Sequence, residues 1–240
     1  CTKRETAVSS GTREQILHWG NLGEPTDLDP HIITSVQDFN LVMTLFEGLT
    51  QYDAKDLHPV PGVAESWESN PDATTWTFHL RANAKWSNGE PITASDFLYS
   101  FRRILSSALG AEYAYMLFHL KNGEEFNHGK ITDFSQVGAR APDDHTLVLS
   151  LWHPVPYLAH LVSHSAWFPV HRATIEKYGK IDTRGTLWTR PGNIVSNGPF
   201  VLAEWKPNQV IRVTKSPTYW SHATVRLNEV NVYPIESETT

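Results

Sequence analysis

Histidine is the residue type in this sequence whose number and spacing come closest to a catalytic pattern. The chain has 12 histidines, and His160 and His164 are four residues apart, so a helix would place both rings on the same face. Zinc proteases combine this spacing with a glutamate that acts as general base. Residues 161–163 are Leu, Val and Ser, and nearby prolines prevent a long helix from collecting further histidines. We therefore predict no metal site and expect these histidines to flank a cleft or surface.

The other reactive side chains give no catalytic arrangement either. Cys1 is the only cysteine, which excludes an intrachain disulfide and a metal site built on paired cysteines. The carboxylate pairs Asp143–Asp144 and Glu124–Glu125 lie in polar segments typical of solvated surface charge. The sequence contains no glycine-rich dinucleotide motif and no G-x-S-x-G nucleophile motif. We predict a protein that is not an enzyme and that has no cofactor.

The composition is that of a globular protein with a sizeable core, since 40% of the residues are hydrophobic and 19% are charged. The net charge of −6 argues against a nucleic-acid partner, because such a partner requires a basic surface. No apolar segment approaches the roughly 18–20 residues that span a bilayer. Residues 1–14 show no apolar periodicity, and we expect them to form a flexible tail.

Two helices have recognisable starting signals. Ser35 and Thr93 can each cap a helix, and Asp38 and Asp96 follow three residues later as acidic variants of the capping box. The first helix should bury the apolar residues 39, 42, 43 and 46, which have helical spacing. Two more helices are predicted at residues 156–166 and 171–179.

Strands are predicted between and after these helices. Alternating or continuous apolar patterns occupy residues 16–19, 74–80, 145–152, 200–205, 209–215 and 229–235. The leucines and aromatic residues of 74–80 and 145–152 would share one face each, so these two segments are expected to be neighbours in one sheet. The interleaving of strands and helices predicts a mixed α/β architecture.

Seven stretches of the chain together resemble the extracytoplasmic oligopeptide-binding proteins of ABC importers, within the peptide/nickel solute-binding family. They are "LDPH" at 28–31, "LFEGL" at 45–49, "PGVAESWE" at 61–68, "WTFHLRANAKWSNGEPITASDFLYSFRR" at 76–103, "DDHTLVLSL" at 143–151, "PVPYL" at 154–158 and "NIVSNGPFVLAEW" at 193–205. Each stretch is a weak signal alone. Because all seven occur in the order of the family, the chain is identified as a member of it.

The resemblance implies a type II periplasmic-binding-protein-like fold, in which two lobes close on a ligand about a hinge. In the family the first lobe is discontinuous, which here would mean residues 15–46 and 166–240. A smaller α+β domain would be inserted at residues 47–165. The second lobe of the family is missing from this sequence, and we expect it to follow residue 240.

The resemblance also implies a function. Such a protein captures extended oligopeptides in the periplasm or cell envelope and delivers them to the permease subunits of an ABC transporter. The peptide main chain pairs with the protein backbone, as in β-augmentation. Many relatives are lipoproteins, so Cys1 is expected to carry the lipid that anchors the protein to the membrane. We expect a monomer.

By motif position, the resemblance places six residues in the ligand cleft: Ile33, Thr34, Ser35, Val36, Tyr113 and His164. Other roles stay open, since Ser35 can be a helix cap and Tyr113 or His164 can be buried core. Thr34 stands where the peptide binders of the family carry a carboxylate, which puts a preference for basic ligand side chains in doubt. The acidic residue that holds the peptide amino terminus in the family belongs to the second lobe, so these 240 residues alone should bind peptides weakly.

Three alternative functions are also considered. The same fold could bind nickel, haem or cell-wall peptides, because a fold does not determine its ligand. A metal-dependent hydrolase would use His160 and His164. A surface adhesin would keep the fold without a role in transport.

Overall fold

The computed structural model describes residues 5–235. The helices are α1 (Ala7–Glu14), α2 (Val36–Leu45), α3 (Ala94–Ile104), α4 (Gly123–Asn127), α5 (Leu158–Leu161) and α6 (Arg172–Tyr178). The strands are β1 (Ile16–Asn21), β2 (Thr50–Tyr52), β3 (Pro59–Pro61), β4 (Ala64–Ser69), β5 (Thr75–Leu80), β6 (Ala139–Asp143), β7 (Thr146–Ser150), β8 (Phe200–Lys206), β9 (Val210–Lys215) and β10 (Glu229–Pro234). Short 3₁₀ helices at Glu112–Leu117 and Ser165–Trp167 lie near the site described below. None of the described helices is long and apolar enough to cross a membrane.

Two four-stranded sheets organise the molecule. The first has the strand order β1-β10-β9-β8, with β1 parallel to β10 and the other pairs antiparallel. The second has the order β4-β5-β7-β6 and is antiparallel throughout, and β2 and β3 form a separate two-stranded ladder. The predicted mixed α/β architecture is therefore confirmed. The first sheet combines residues 16–21 with 200–234, whereas the second lies within 64–150; the domain boundaries at 46/47 and 165/166 stay a prediction.

The core of the second sheet follows the predicted alternation. Trp76 and Phe78 on β5 are opposite Leu149 and Leu147 on β7, and all four side chains are buried. Helix α3 packs against β6 and β7 and buries its apolar face, including Phe101. The expected pairing of these two strands in one sheet is thus confirmed.

Helix α3 begins as predicted. The Asp96 carboxylate accepts hydrogen bonds from the Thr93 N–H at 2.8 Å and the Thr93 hydroxyl at 3.1 Å. In α2 only half of the predicted capping box forms. The Ser35 hydroxyl accepts from the Asp38 N–H at 3.2 Å, but the Asp38 carboxylate accepts from the N–H and hydroxyl of Thr26, both at 2.8 Å. Asp38 therefore fixes the preceding loop rather than the first turn of its own helix.

The buried face of α2 also differs from the prediction. Leu41, Val42 and Leu45 are fully buried, whereas Phe39 and Met43 are only half-buried. The helix ends at Leu45, so Phe46, which was predicted to lie on its buried face, follows its last residue. The apolar residues of this short helix cover more than one face, so spacing alone did not identify the face that meets the core.

The prediction of a flexible tail over residues 1–14 is wrong for residues 7–14, which form α1. The Thr6 hydroxyl accepts from the Ser9 N–H, and Gln15 ends the helix in the left-handed conformation with φ of 58°. Arg13 also bonds to Glu5 at 2.7 Å. Local polar contacts thus stabilise α1, although its sequence has no apolar periodicity. Cys1 lies outside the described residues.

The single helix predicted over residues 156–166 is also wrong. Only the short α5 forms, and the Ser163 and His164 N–H groups then bond three residues back, which tightens the chain into a turn. His160 is exposed on α5, whereas His164 is half-buried and precedes the 3₁₀ helix. The two histidines therefore do not share a helix face.

A buried ion pair joins the N-terminal segment to α3. The Arg103 guanidinium donates from Nη1 to Asp29 Oδ1 at 2.9 Å and from Nη2 to Asp29 Oδ2 at 2.5 Å, and both side chains are at most 2% exposed. Arg103 Nε also donates to the Ile181 carbonyl at 2.8 Å. Burial alone would raise the pKa of Asp29, but the guanidinium outweighs it and keeps the pKa low.

His31 completes this network. Its Nε2 donates to the Phe168 carbonyl at 3.0 Å, so its unprotonated Nδ1 accepts from Arg103 at 3.0 Å. Burial, together with the neighbouring guanidinium, lowers the pKa of His31 to about 4. A neutral His31 thus links the N-terminal segment and α3 to the chain after α5.

A second buried network surrounds Glu47. One carboxylate oxygen accepts from the Tyr219 hydroxyl at 2.5 Å and from the Gln51 amide, and the other accepts from Trp220 Nε1 at 2.7 Å. The Asn197 side chain bonds to both main-chain groups of Glu47, at 3.0 and 2.9 Å. Burial raises the pKa of Glu47 to about 7, against the opposing effect of these donors.

We predict that Arg103→Met lowers the free energy of unfolding by about 3–5 kcal/mol, because it leaves the Asp29 carboxylate buried without its counter-charge. Urea unfolding of the purified variant measures this loss. Arg102→Met, on the exposed side of the same helix, is the matched control and should change stability by no more than about 0.5 kcal/mol. Equal effects of the two substitutions would show that the buried pair does not stabilise the fold.

We also predict a pH-dependent contribution from Glu47. Between its unfolded pKa near 4.5 and its folded pKa of about 7, the native state keeps a proton that the unfolded state releases. The contribution of Glu47 to stability must therefore fall as pH rises, by at most ~1.4 kcal/mol per pH unit. Urea unfolding at pH 4.5, 5.5, 6.5 and 7.5 should show that the difference in free energy of unfolding between wild type and Glu47→Gln declines as pH rises.

The exposed Glu65 provides the control for this measurement. The difference in free energy of unfolding between wild type and Glu65→Gln should not change over the same pH range. A flat difference for Glu47→Gln as well would mean that Glu47 titrates alike in the folded and unfolded states.

Candidate functional site

The six residues expected in the ligand cleft lie together around one open pocket. The pocket has a volume of about 300 Å³ and is lined by Ile33, Thr34, Ser35, Val36, Phe39, Tyr113, His164 and Ser165. Its size is at the lower end of the range for small-molecule sites, ~300–1,000 Å³. The structure therefore brings together residues from three distant parts of the chain. Their role in binding a ligand stays a prediction.

One side of the pocket is the segment that leads into α2. Ile33 is buried and anchors this segment, whereas Thr34 and Val36 are exposed. The residues just before it, 28–31, are buried and held by the Arg103 network. Ser35 lines the pocket and is also the N-cap of α2, so the alternative role predicted for it is confirmed.

Aromatic side chains also line the pocket: Tyr113 lies on the first 3₁₀ helix and His164 caps the second, and these two helices pack against each other. The rings of Tyr113 and His164 meet edge to face with centroids 5.2 Å apart, and the ring of Phe39 lies 5.6 Å from that of His164. The fully buried Trp167 anchors the second 3₁₀ helix through an edge contact with Phe101 on α3. The ring cluster is thus supported by the core of the molecule.

His164 is neutral and has one ring nitrogen already occupied. Its Nδ1 accepts from the Ala166 N–H at 3.1 Å, so the remaining proton is on Nε2. Burial lowers the pKa of His164. At neutral pH this side chain can therefore donate one hydrogen bond to a ligand oxygen without adding charge to the pocket.

The pocket also offers hydrogen-bonding groups that the protein does not use. Within residues 5–235, the N–H and C=O of Thr34 have no protein partner. Ser165 is 1% exposed, and its hydroxyl likewise has no partner in the described chain. A buried hydroxyl without a hydrogen bond is unfavourable, so it is a candidate contact for a bound molecule.

Phe39 and Ser165 are the two pocket residues that the sequence did not identify as site residues. Phe39 was predicted to be core, because helical spacing cannot distinguish a side chain that faces the core from one that faces a cleft. Ser165 follows His164 directly, and its position next to a predicted site residue was the only available signal.

The described residues contain one group of side chains with metal-ligand spacing, and it lies outside the pocket. Asp53, Asp56 and His58 are in the β2–β3 turn, with ligand atoms within 4.8 Å of one another. His58 Nδ1 contacts Asp56 at 2.5 Å, which is an ion pair when the imidazole is protonated. Asp56 and His58 are exposed, and Asp53 is half-buried. Neither His160 nor His164 belongs to this group.

Comparison with known families gives a match over most of the chain. Residues 58–240 match the family model described as "Bacterial extracellular solute-binding proteins, family 5 Middle". The periplasmic oligopeptide-binding protein OppA of Escherichia coli is 46% identical over 231 residues, which is 95% of this chain and 40% of that protein. The periplasmic murein peptide-binding protein MppA of Escherichia coli is 38% identical over 90% of this chain and 38% of its own length.

Solved structures agree with these matches. The unliganded open form of the murein tripeptide-binding protein MppA has a TM-score of 0.87 and 37% identity over 94% of this chain and 42% of its own. The complex of Haemophilus influenzae OppA with the peptide RPPGFSPFR has a TM-score of 0.87 and 36% identity, over 93% of this chain and 42% of its own. The chain thus spans about 40% of the length of these relatives, all of which are named as binding proteins.

Proposed function

The chain belongs to the bacterial extracellular solute-binding proteins of family 5, and on that premise we propose that it captures extended oligopeptides and delivers them to the permease of an ABC importer. Capture takes place outside the cytoplasm, in the periplasm or cell envelope. The peptide is bound and released unchanged, so the protein is not an enzyme. The domains at residues 15–46 with 166–240 and at 47–165 form one side of the ligand cleft, and a second lobe closes over it.

One observation carries this proposal: the segment 33–36, whose main chain is partly unpaired, and a cluster of rings line the same open pocket. The unpaired N–H and C=O of Thr34 can pair with the main chain of an extended peptide, as an added strand would. Every peptide offers the same row of donors and acceptors, so this contact gives affinity without sequence specificity. The Nε2–H of His164 adds a donor for a peptide carbonyl.

We predict that the protein as its native gene encodes it binds short peptides, and that Tyr113→Ala weakens this binding at least ~10-fold. Tyr113 supplies a large part of the aromatic side of the pocket, and losing a buried aromatic contact has an effect of this size. Isothermal titration calorimetry against tripeptides and pentapeptides measures the affinity. Uptake of a labelled peptide by cells that carry wild type or Tyr113→Ala measures delivery to the importer.

Tyr157→Ala is the matched control, because Tyr157 is an exposed tyrosine that does not line the pocket. It should leave both binding and uptake unchanged. Haem and Ni²⁺ are titrated in parallel. Binding of haem or Ni²⁺ with no response to any peptide would replace the peptide proposal by a non-peptide ligand on the same fold.

We also propose that Cys1 carries a lipid that anchors the protein to the membrane. The motivation is the family resemblance together with the position of the only cysteine of this chain, before α1. Attached acyl chains bind a bilayer by about 0.8 kcal/mol per buried CH₂. Intact-mass spectrometry of protein purified from the native membrane should find an acylated Cys1, and Cys1→Ala should shift the protein to the soluble fraction. An unmodified thiol in the native protein contradicts this proposal.

A further inference from the structure

We propose that this pocket selects its peptide by one uncharged side chain, aromatic or aliphatic, and discriminates against lysine and arginine at that position. This inference rests on the proposed function and specifies the ligand class of the same site. It depends on the charge, the ring geometry and the unused hydroxyl of the pocket.

The described residues that line the pocket carry no group that could neutralise a charged ligand side chain. Among residues 5–235, the eight that line it include no carboxylate, ammonium or guanidinium group. Two acids directly precede lining residues along the chain. Glu112 is exposed and does not itself line the pocket. Asp38 is buried and accepts two hydrogen bonds from Thr26. Both oxygens of this carboxylate are therefore already engaged. A lysine side chain that entered the pocket would lose hydration without gaining a counter-charge from the residues that line it.

The aromatic side chains provide the favourable contacts instead. Phe39, Tyr113 and His164 form a connected cluster of rings with centroid separations of 5.6 and 5.2 Å. An aromatic or branched aliphatic side chain can pack on the faces and edges of this cluster. Burial lowers the pKa of His164, so the imidazole behaves as part of this neutral surface. The pocket, at about 300 Å³, is at the lower end of the range for small-molecule sites, so it can hold only part of an extended peptide.

Ser165 adds a preference among the uncharged side chains of the ligand. Its hydroxyl is buried and has no partner in the described chain, although the residue lines the pocket. A ligand side chain with a ring and a polar tip would bury apolar area and satisfy this hydroxyl as well. Tyrosine has both features, whereas phenylalanine has only the ring. Tyrosine should therefore bind at least as tightly as phenylalanine.

The test uses the protein as its native gene encodes it and a set of tripeptides. Each position of an alanine tripeptide is replaced in turn by Phe, Tyr, Leu, Lys or Glu, and affinities are measured by calorimetry. At one position, Phe, Tyr and Leu should bind at least ~10-fold more tightly than Lys. Peptide binding with equal affinity for Phe and Lys at every position overturns the inference and leaves the proposed function intact. Absence of any peptide binding contradicts the proposed function itself.

Two variants test the physical cause. Thr34 is exposed at the pocket, so Thr34→Glu adds a carboxylate without disturbing the core. It should raise the affinity for the Lys peptide about 3–5-fold, and added salt should reduce this gain. Thr34→Gln has a similar size without charge and should give no gain. If Thr34→Gln raises the affinity for the Lys peptide as much as Thr34→Glu does, the lack of a counter-charge is not the reason that lysine binds weakly.

Ser165→Ala separates the ring contribution from the hydroxyl contribution. It should weaken binding of the Tyr peptide about 3–10-fold and leave the Phe peptide unchanged. Removing a hydroxyl without a protein partner should not destabilise the fold, which thermal unfolding of the variant checks. Equal effects on the Tyr and Phe peptides would assign Ser165 to packing alone.

Discussion

The buried ion pair between Arg103 and Asp29 is the interaction on which the candidate site depends most. All three guanidinium nitrogens donate hydrogen bonds. Nη1 and Nη2 donate to the Asp29 carboxylate, and Nε donates to the Ile181 carbonyl. A lysine could not make this set of bonds, since it has a single donor group and no planar fork. Through His31 the same network reaches the Phe168 carbonyl. The residues just before the pocket segment are thereby fixed against α3 and against the chain that follows the 3₁₀ helix of the pocket.

The Glu47 network has a comparable role where the chain enters the second sheet region. Asn197 bonds to both main-chain groups of Glu47, and the Gly198 N–H bonds to the Leu45 carbonyl at 2.7 Å. A Cβ at Gly198 would lie 2.5 Å from the Leu45 carbonyl carbon, so glycine is required for this close approach. The end of α2 is therefore held next to the start of β8, where the chain returns to the first sheet. An inserted domain between residues 47 and 165 needs such a junction, although the boundaries themselves stay a prediction.

Capping residues and apolar patterns in the sequence predicted most of the helices and strands, whereas the site residues could not be identified from such patterns. The cap at Thr93 and the alternation over 75–80 depend on neighbours in sequence, and both predictions were confirmed. Helix α1 was missed because residues 7–14 have no apolar periodicity, and the helix over 156–166 was predicted wrongly because its turn is tightened by three-residue hydrogen bonds. Residue patterns alone left the roles of Tyr113 and His164 open. Only the family resemblance placed them in one cleft, and only the structure added Phe39 and Ser165.

Under the proposed function, the pocket would combine two kinds of peptide recognition. Its rings come from residues near 39, 113 and 164, and these segments meet only when α2, α3 and the two 3₁₀ helices are packed together. A ligand that contacts all three segments binds only this packed state, and mass action then stabilises the packing. Main-chain contacts at Thr34 are available to every peptide, whereas a side chain among the rings is needed to bridge the segments. If the proposed selection is right, it and the stabilisation of the cleft result from the same contacts.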